Sequence, residues 1–338
     1  MLRLLIKSVS LIAICVVIFC GIYPAAVWVV GRVLFPFQAN GSMLTGPDGR
    51  LVGSKLIAQP FTKDEYFQPR PSAAAYDASA SASSALAPSN YALRDRVART
   101  LGPIVRYRSG SKAGRLVAPD VEAWFQQDRY QGKPGIVAQW ADLHNELAAA
   151  WVTSDPAHAA YVDAWTKVHP AAVAAWTKSN PAAPNPKPAD LGVLFFETFS
   201  NEHPGRFPSA VKNVSADGRT QATIAPVDNG PDIQSIFFDM WRQDHPDADL
   251  RRIPGDLVTT SASGLDPNIT LQNAEYQLDR VASRWAADMN RDPAAVRREI
   301  ELLLQRSAKA PFNGLAGEKL VNVLEVNLEL RNRYGRPK

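Results

Sequence analysis

The pattern of hydrophobic and polar positions begins with one long apolar block. No charged residue lies between Ser8 and Gly31, and the block is dominated by Leu, Ile, Val, Ala and Phe. As a helix it would reach roughly 36 Å, enough to cross a hydrocarbon layer of about 30 Å with some tilt. A cleaved signal peptide is the alternative, but the block is long for one and residues 23–26 form a poor cleavage site. We therefore predict a retained transmembrane anchor over residues 1–34.

Basic residues flank this block unevenly. Arg3 and Lys7 precede it, whereas Arg32 is the only charged residue between the block and Asp48. Because positively charged flanks stay on the cytoplasmic side, we expect the N-terminus in the cytoplasm and the large C-terminal portion outside, in the periplasm or extracellular space.

Two small residues inside the block, Gly21 and Ala25, lie one helical turn apart on either side of Pro24. Such a pair lets another helix approach closely in lipid, where no hydrophobic effect drives helices together. Gly21 and Ala25 are therefore candidate partner contacts. A lone anchor in which small residues simply occur often is the alternative.

Beyond the anchor, strand-like and helix-like segments follow one another. Residues 51–59 and the β-rich run 257–261 are predicted strands. Predicted helices follow residues that favour N-caps, which are Asn90, Thr270, Asp292 and Asn322. The mixture predicts an α+β fold, in which a single N-terminal transmembrane helix precedes a mixed α/β soluble domain.

The middle of the chain has a different texture. Four segments share the pattern Trp-x-x-x-[Asp/His/Asn]-Pro and begin at Trp151, Trp165, Trp176 and Trp241. A polar residue before proline ends one helix and starts the next, while a tryptophan in the last turns packs inward. We therefore predict that residues 99–251 are a mostly helical insertion that interrupts the soluble domain.

Composition and charge exclude several classes of function. The chain has 338 residues, and 37 Lys and Arg against 33 Asp and Glu give a formal net charge of +4. That balance is too even to indicate a nucleic-acid partner. Both cysteines, Cys15 and Cys20, fall inside the apolar block, which excludes disulfides and thiolate metal sites in the soluble part.

The sequence offers no convincing catalytic or metal-binding pattern. Phosphate-loop, dinucleotide-binding and H-E-x-x-H patterns are absent from it. A metal site built from histidines such as His158 and His169 is a weaker hypothesis than helix capping or surface exposure. A Ser54-Lys55 dyad would need convergence in space rather than adjacency in sequence. We predict no catalytic residue and no metal ligand.

Five ordered blocks of sequence, together with the apolar N-terminus, resemble the C subunit of the Kdp potassium-transporting P-type ATPase. The blocks are FPFQANGS (35–42), GSKLIAQPF (53–61), YFQPRPSA (66–73), DLVTTSASGLDPNI (256–269) and VNVLEVNL (321–328). The resemblance covers residues 1–98 and 252–338, so residues 35–98 and 252–338 would form the family-like soluble domain.

The resemblance implies a role rather than a reaction. In that complex of the bacterial inner membrane, an A subunit conducts the ion, a B subunit hydrolyses ATP, and a small F subunit is also present. The C subunit serves assembly and acts as a catalytic chaperone that raises the ATP affinity of the B subunit. The implied partners are thus the A, B and F subunits and the lipid bilayer. No cofactor is bound by this chain alone, and ATP enters only through the B subunit.

The predicted orientation conflicts with direct contact to cytoplasmic ATP. An outside domain could affect the B subunit only through the membrane subunits, as a coupling free energy. We favour that arrangement, with the domain resting on the potassium entrance of the A subunit. A cytoplasmic domain that touches nucleotide through a residue such as Gln59 is the alternative.

Polar residues of the matching blocks are candidate partner contacts. They also suit turns, where Asn, Ser and Asp bond their own backbone, and this is the alternative for each. Arg70 is the strongest candidate, because neighbouring prolines stiffen its backbone and its guanidinium suits carbonyls or a carboxylate. The candidates are Asn40, Gln59, Arg70, Ser261, Ser263 and Asp266.

Two other classes of function compete with an accessory transport subunit. A membrane-anchored envelope protein could hold glycan or peptidoglycan on exposed tryptophans of the insertion. A membrane-anchored hydrolase is a third hypothesis. Buried tryptophans would instead make the insertion a scaffold.

Overall fold

The computed structural model describes residues 2–214, 220–315 and 317–335. The chain divides into two compact units, each described here by itself. Unit 1 combines Met1–Ala85 with Ile253–Lys338, and unit 2 is Leu86–Arg252. Unit 1 is therefore discontinuous in sequence, with all of unit 2 between its two segments.

The α-helices are numbered in chain order. They are α1 (Leu2–Val16), α2 (Tyr23–Leu34), α3 (Pro36–Ala39), α4 (Tyr91–Leu101), α5 (Ala118–Phe125), α6 (Ile136–Leu143), α7 (Asn145–Ser154), α8 (Pro156–Val168), α9 (Pro170–Ser179), α10 (Gly192–Glu202), α11 (Pro231–Ile236), α12 (Phe238–Asp244), α13 (Gly255–Val258), α14 (Leu271–Met289), α15 (Pro293–Ser307) and α16 (Val323–Tyr334). A π-helical turn and three short 3-10 turns complete the described helical structure, at Val17–Ile22, Gly110–Lys112, Pro188–Leu191 and Pro311–Gly314.

The strands form antiparallel pairs among the described residues, β1 with β2, β3 with β4, β5 with β6 and β7 with β8. They are β1 (Met43–Thr45), β2 (Leu51–Ser54), β3 (Arg129–Tyr130), β4 (Lys133–Pro134), β5 (Phe207–Val214), β6 (Thr220–Val227), β7 (Asn268–Thr270) and β8 (Leu320–Asn322). The mixture of helix and strand fits the predicted α+β class.

The N-terminal apolar block forms one helix, Leu2–Leu34, with a mean hydropathy of 2.6 in its most apolar window and no buried residue there. By length and composition it could cross a membrane, as predicted. The π-helical turn interrupts it, and at the end of this turn the Tyr23 N–H bonds the Ile18 carbonyl, five residues earlier. Pro24, which has no N–H, follows in the first turn of α2. The wider turn therefore lies directly before the proline.

Unit 1 is built around α14, α15, α16 and the β7–β8 pair. Each helix starts at a predicted cap, because Thr270, Asp292 and Asn322 each accept a hydrogen bond from a backbone N–H of the first turn. Apolar residues at helical spacing then face one core, whose buried members are Phe67, Ile269, Ala274, Leu278, Val281, Ala282, Trp285, Ala286, Val296, Ile300, Leu303, Leu304, Val321, Val323, Val326 and Leu330.

Unit 2 has a core of aromatic rings. Trp140 packs against Phe196, Phe207 and Phe237 with ring centroids 5.1 to 6.1 Å apart. Trp151 packs against Phe196 and Phe207 as well. Most tryptophans that start the repeated pattern are buried, as predicted, and only Trp176 is half-buried.

Four of the five histidines, at positions 144, 169, 203 and 245, lie directly after the last residue of a helix, which agrees with the capping interpretation. The Nδ1 atom of His169 bonds the Trp165 carbonyl at 3.0 Å, and the Nδ1 atom of His245 bonds the Trp241 carbonyl at 2.9 Å. Each imidazole also stacks on the indole whose carbonyl it bonds, with centroids 4.9 Å apart. Among the described residues, no group of His, Cys, Asp or Glu is placed to hold a metal ion.

Two strand predictions are corrected by the structure. The predicted strand 257–261 is absent, and the segment instead begins with the helical turn α13. The Asp256 carboxylate accepts hydrogen bonds from the Thr270 N–H and hydroxyl, at 2.7 and 3.1 Å, so local β propensity yields to this contact. The strand predicted over 51–59 ends at Ser54, whose hydroxyl accepts the Leu56 N–H and turns the chain.

Candidate functional site

The candidate contacts fall into three places within unit 1. Gly21 and Ala25 lie in the apolar helix, Asn40 and Gln59 lie beside the β1–β2 hairpin, and the other four lie in one loop region. Both members of the small-residue pair are exposed, and a Cβ placed on Gly21 would meet nothing within 4 Å. The helix surface at Gly21 is therefore open to a close neighbour.

Asn40 joins the end of the apolar helix to the soluble part. Its Oδ1 accepts a hydrogen bond from the Arg32 guanidinium at 2.7 Å, and its Nδ2 donates to the Pro36 carbonyl at 2.8 Å. The side chain thus closes the turn around α3 and fixes how the chain leaves the helix. This is the turn chemistry that formed the alternative for Asn40.

Gln59 fastens the β1–β2 hairpin. Its Nε2 donates to the Val52 carbonyl at 3.1 Å across a backbone without a side chain, since a Cβ on Gly53 would lie 1.6 Å from the same nitrogen. Glycine at position 53 is therefore required for Gln59 to reach its acceptor. Gln59 is half-buried and already has a partner in this position.

Arg70 lies at the centre of the loop region, which we call the Arg70 cluster. Its Nη2 donates to the Thr260 carbonyl at 3.0 Å, and its Nη1 lies 3.7 Å from the Asp266 carboxylate. The cluster comprises Arg70, Ser72, Tyr76, Thr260, Ser261, Ser263, Gly264 and Asp266. Residues from both ends of the sequence therefore meet at one guanidinium.

Tyr76 supports Arg70 from the other side. Its hydroxyl donates to the Arg70 carbonyl at 2.9 Å, and burial raises the pKa of this phenol, so it stays protonated as a donor. The Arg70 side chain is 26% exposed. A partner could therefore reach the guanidinium only at its edge.

Two serines of the cluster bind backbone groups. The Ser263 hydroxyl accepts the Leu265 N–H at 3.1 Å, and the Ser72 hydroxyl donates to the Gly264 carbonyl at 2.6 Å. Ser261 is 3% exposed. The Asp266 carboxylate caps the Asn268 N–H at 3.0 Å. These contacts build the turn itself, and a partner-contact role for the cluster stays a prediction.

Three side chains that the sequence did not single out hold the segment before Arg70. Asn327 bonds both backbone groups of Phe67 at 2.9 Å, and Gln277 bonds both backbone groups of Gln68 at 2.7 and 3.0 Å. Arg280 donates to the carbonyls of Asp64 and Tyr66. Polar residues within otherwise apolar helix faces were the available signal.

One cavity of about 190 Å³ lies beside the β7–β8 pair. It is lined by Lys55, Lys309 and Glu325 together with the amides of Asn268 and Asn322. Lys55 and Glu325 form an ion pair with each other, and the Asn322 amide donates to the Lys55 carbonyl at 2.9 Å. The polar groups therefore largely satisfy one another.

Comparison with known proteins adds the family. A family model described as "K+-transporting ATPase, c chain" matches residues 5–121 and 232–332. Curated relatives named "Potassium-transporting ATPase KdpC subunit" come from Pseudomonas putida (50% identical over 91 residues, 27% of this chain and 50% of the relative), Parvibaculum lavamentivorans (41% over 96 residues, 28% and 51%) and Pseudomonas syringae pv. tomato (42% over 128 residues, 35% and 67%).

The chain spans about half the length of the first two relatives. The two segments of the family match include the whole Arg70 cluster and the three side chains that hold the segment before it. Residues 122–231, in the middle of unit 2, lie outside the match. Because the match covers well over half of its residues, this chain belongs to the KdpC family, the c chain of K+-transporting ATPases.

Proposed function

We propose that the chain is a non-catalytic accessory subunit of a high-affinity, ATP-driven potassium import complex in the bacterial inner membrane. The observation that carries the proposal is the family match at both ends of the chain, over residues 5–121 and 232–332. Its partners would be the ion-conducting A subunit, the ATP-hydrolysing B subunit and the F subunit. The chain would serve assembly of the complex and raise the ATP affinity of the B subunit.

The geometry of unit 1 supports a scaffolding role. Its polar side chains in the Arg70 cluster bind backbone groups, and the apolar helix presents an open surface at Gly21. Such an arrangement is suited to holding a fixed shape against other subunits. The helix would pack among membrane partners, while the cluster would keep the soluble surface rigid.

We further propose that the soluble portion lies outside the cytoplasm. Arg3 and Lys7 precede the apolar block, and positive flanks favour the cytoplasmic side. An effect on ATP affinity would then pass through the membrane subunits as a coupling free energy. Direct nucleotide contact through Gln59 is the alternative, and it would use a side chain whose Nε2 already donates to the Val52 carbonyl.

Growth at limiting potassium tests the proposed function. In a strain without other potassium importers, deletion of this chain should abolish growth at micromolar potassium and leave growth at millimolar potassium intact. Expression of the full chain should restore growth of the deletion strain at micromolar potassium. Full growth of the deletion strain at micromolar potassium would refute the proposal.

Two further measurements test the partners and the orientation. A C-terminal tag on the full chain should co-purify the A, B and F subunits from detergent-solubilised membranes. Alkaline phosphatase fused after Lys338 should be active in intact cells, because the enzyme requires an oxidising compartment. An inactive fusion would contradict the outside placement while leaving the subunit role intact.

The envelope-binding alternative is not favoured. Glycan binding by stacking needs exposed indoles, whereas Trp140, Trp151, Trp165 and Trp241 are at most 8% exposed. Weak quenching of tryptophan fluorescence by acrylamide is the expected result, apart from the contributions of Trp176 and of Trp28 in the apolar helix.

A further inference from the structure

We propose that unit 2 carries a basic patch that rests on anionic phospholipid headgroups of the membrane that anchors the chain. The patch comprises Arg106, Arg108, Lys112, Arg115, Arg251 and Arg252, all of them exposed. The proposal rests on the membrane anchor of the proposed function, and it assigns a surface to unit 2 rather than to the family-like unit 1.

Backbone pairing brings these cations together from distant parts of the sequence. Arg106 pairs with Leu116, and Tyr107 pairs with Leu250, both in antiparallel fashion. Because neighbouring residues in extended backbone point to opposite faces and Tyr107 is buried, Arg106 and Arg108 face outward together. Three short segments thus form one basic surface.

Carboxylates compensate only part of this charge. Asp249 lies 2.8 Å from Arg108, and Asp120 lies 2.8 Å from Lys112. Asp247 is exposed close to the same segment in sequence. Arg106 donates instead to the Gly114 carbonyl at 2.6 Å, and among the described residues no carboxylate pairs with it. Arg251 already interacts within the chain, and with it left aside the remaining five cations still outnumber these three acids.

The shape of the patch suits a lipid surface better than a protein. Residues 108–116 are all exposed and consist of small residues, cations and Leu116, with no aromatic side chain among them. Stable protein interfaces usually depend on buried aromatic or arginine anchors in fitted pockets. A layer of headgroups needs no fitted pocket, and Leu116, 37% exposed, could enter the boundary between headgroups and acyl chains.

The anchor makes a weak attraction effective. A tethered surface meets the membrane at a high effective concentration, so a small number of cations suffices for contact. Because the attraction is between exposed charges, it should be screened by salt.

Amide hydrogen exchange on the full chain tests the proposal. The chain is reconstituted into nanodiscs of phosphatidylcholine alone or of phosphatidylcholine with phosphatidylglycerol, with no partner subunit present. We expect residues 106–116 to exchange several-fold more slowly in the anionic discs, and high salt should remove the difference. The double variant Arg106→Gln, Arg115→Gln should lose it as well.

A matched variant controls for net charge. Arg129 and Lys133 are exposed cations of the β3–β4 hairpin outside the patch, so Arg129→Gln with Lys133→Gln removes the same charge and should keep the slow exchange. Equal exchange of residues 106–116 in both lipid compositions would overturn the proposal. So would slowing that appears only after partner subunits are added, which would indicate an acidic protein surface. Loss of the chain from both kinds of disc would overturn the anchor and this proposal together, whereas retention with equal exchange would overturn only this one.

Discussion

The side-chain amide of Asn327 bonds both the N–H and the carbonyl of Phe67, each at 2.9 Å, across 260 positions of sequence. Both residues are at most 1% exposed, so no solvent replaces these bonds. Gln277 makes the equivalent pair of bonds to Gln68. Helices α14 and α16 therefore hold the same backbone segment at Phe67 and Gln68, which we call the strap.

We expect Asn327→Ala to lower the free energy of unfolding of unit 1 by about 3 kcal/mol, because it leaves two buried backbone groups without partners. Asn327→Asp should also destabilise, since a carboxylate cannot donate to the Phe67 carbonyl. Hydrogen exchange around residues 66–70 in the full chain measures the effect. Gln305→Ala, on the exposed face of α15, is the control. Unchanged exchange in both Asn327 variants would contradict the assigned role.

Gly264→Ala should damage the Arg70 cluster. Gly264 has φ +71°, and a Cβ there would lie 2.8 Å from the Ala82 carbonyl oxygen and 2.9 Å from the Ala74 Cβ. The left-handed backbone alone costs an alanine about 1–2 kcal/mol, and the close contacts add to that. Thermal unfolding in detergent should shift downward, whereas Gly255→Ala, where a Cβ meets nothing within 4 Å, should leave it nearly unchanged.

The ion pair between His169 and Glu202 predicts a pH-dependent contribution to stability. The hydrogen bond that the His169 Nε2 donates to the Glu202 carboxylate, followed by that to the Trp165 carbonyl, raises the pKa of His169. A raised folded-state pKa means that the stabilisation is complete below the unfolded value of about 6.5 and is lost as the pH rises through the folded value. Glu202→Gln should therefore lower the unfolding temperature at acidic pH and have little effect at alkaline pH.

The effect of Glu202 is isolated by the difference in unfolding temperature between wild type and Glu202→Gln at each pH, and not by the pH dependence of the wild type alone. Burial lowers the pKa of His144, which gives a contribution of the opposite sign in every variant. Glu197→Gln, on an exposed position of the same helix α10, should show no such pH dependence. If the difference in unfolding temperature between wild type and Glu202→Gln stays constant from acidic to alkaline pH, the proposed link between His169 protonation and stability is excluded.

Arg70→Ala should weaken co-purification with the partner subunits. The guanidinium bonds the Thr260 carbonyl and lies beside the Asp266 carboxylate, so its removal should also loosen the loop that contains both residues. Tagged full chain, purified from membranes that contain all subunits, provides the measurement. Arg50→Ala, an exposed position in the β1–β2 hairpin, serves as the comparison. An unchanged yield of complex for Arg70→Ala would count against the contact.

Gly21→Leu should reduce assembly without affecting the isolated chain. A side chain at Gly21 meets nothing within 4 Å, so the chain alone tolerates it, while a closely packed partner helix would not. Val27→Leu adds bulk two positions beyond Ala25, away from the small-residue pair. If both variants assemble equally well, the small pair is not a contact surface.

Local signals in the sequence were sufficient for much of unit 1. The caps at Thr270, Asp292 and Asn322 and the apolar helix depend on residues a few positions apart, and the structure confirms them. The strand prediction for 257–261 was wrong because the Asp256 carboxylate bonds Thr270, and β propensity does not encode that contact.

Hydrogen bonds between residues far apart in the chain could not be predicted from the sequence. Nothing near Gln277 or Asn327 indicates that each would bond backbone more than 200 positions away. The β5–β6 hairpin was also missed. Pro208 and Pro226 oppose each other in the register, and proline by itself argues against a strand.

The bond between Asn327 and Phe67 also sets an order for biogenesis. The apolar helix and the strap around Phe67 are synthesised first, and all of unit 2 follows before Asn327 leaves the ribosome. The strap therefore lacks its hydrogen-bond partner Asn327 until almost the whole chain has been translated. A nascent chain that stops anywhere before α16 cannot close this core, so the core of unit 1 forms only after almost the whole chain has been synthesised.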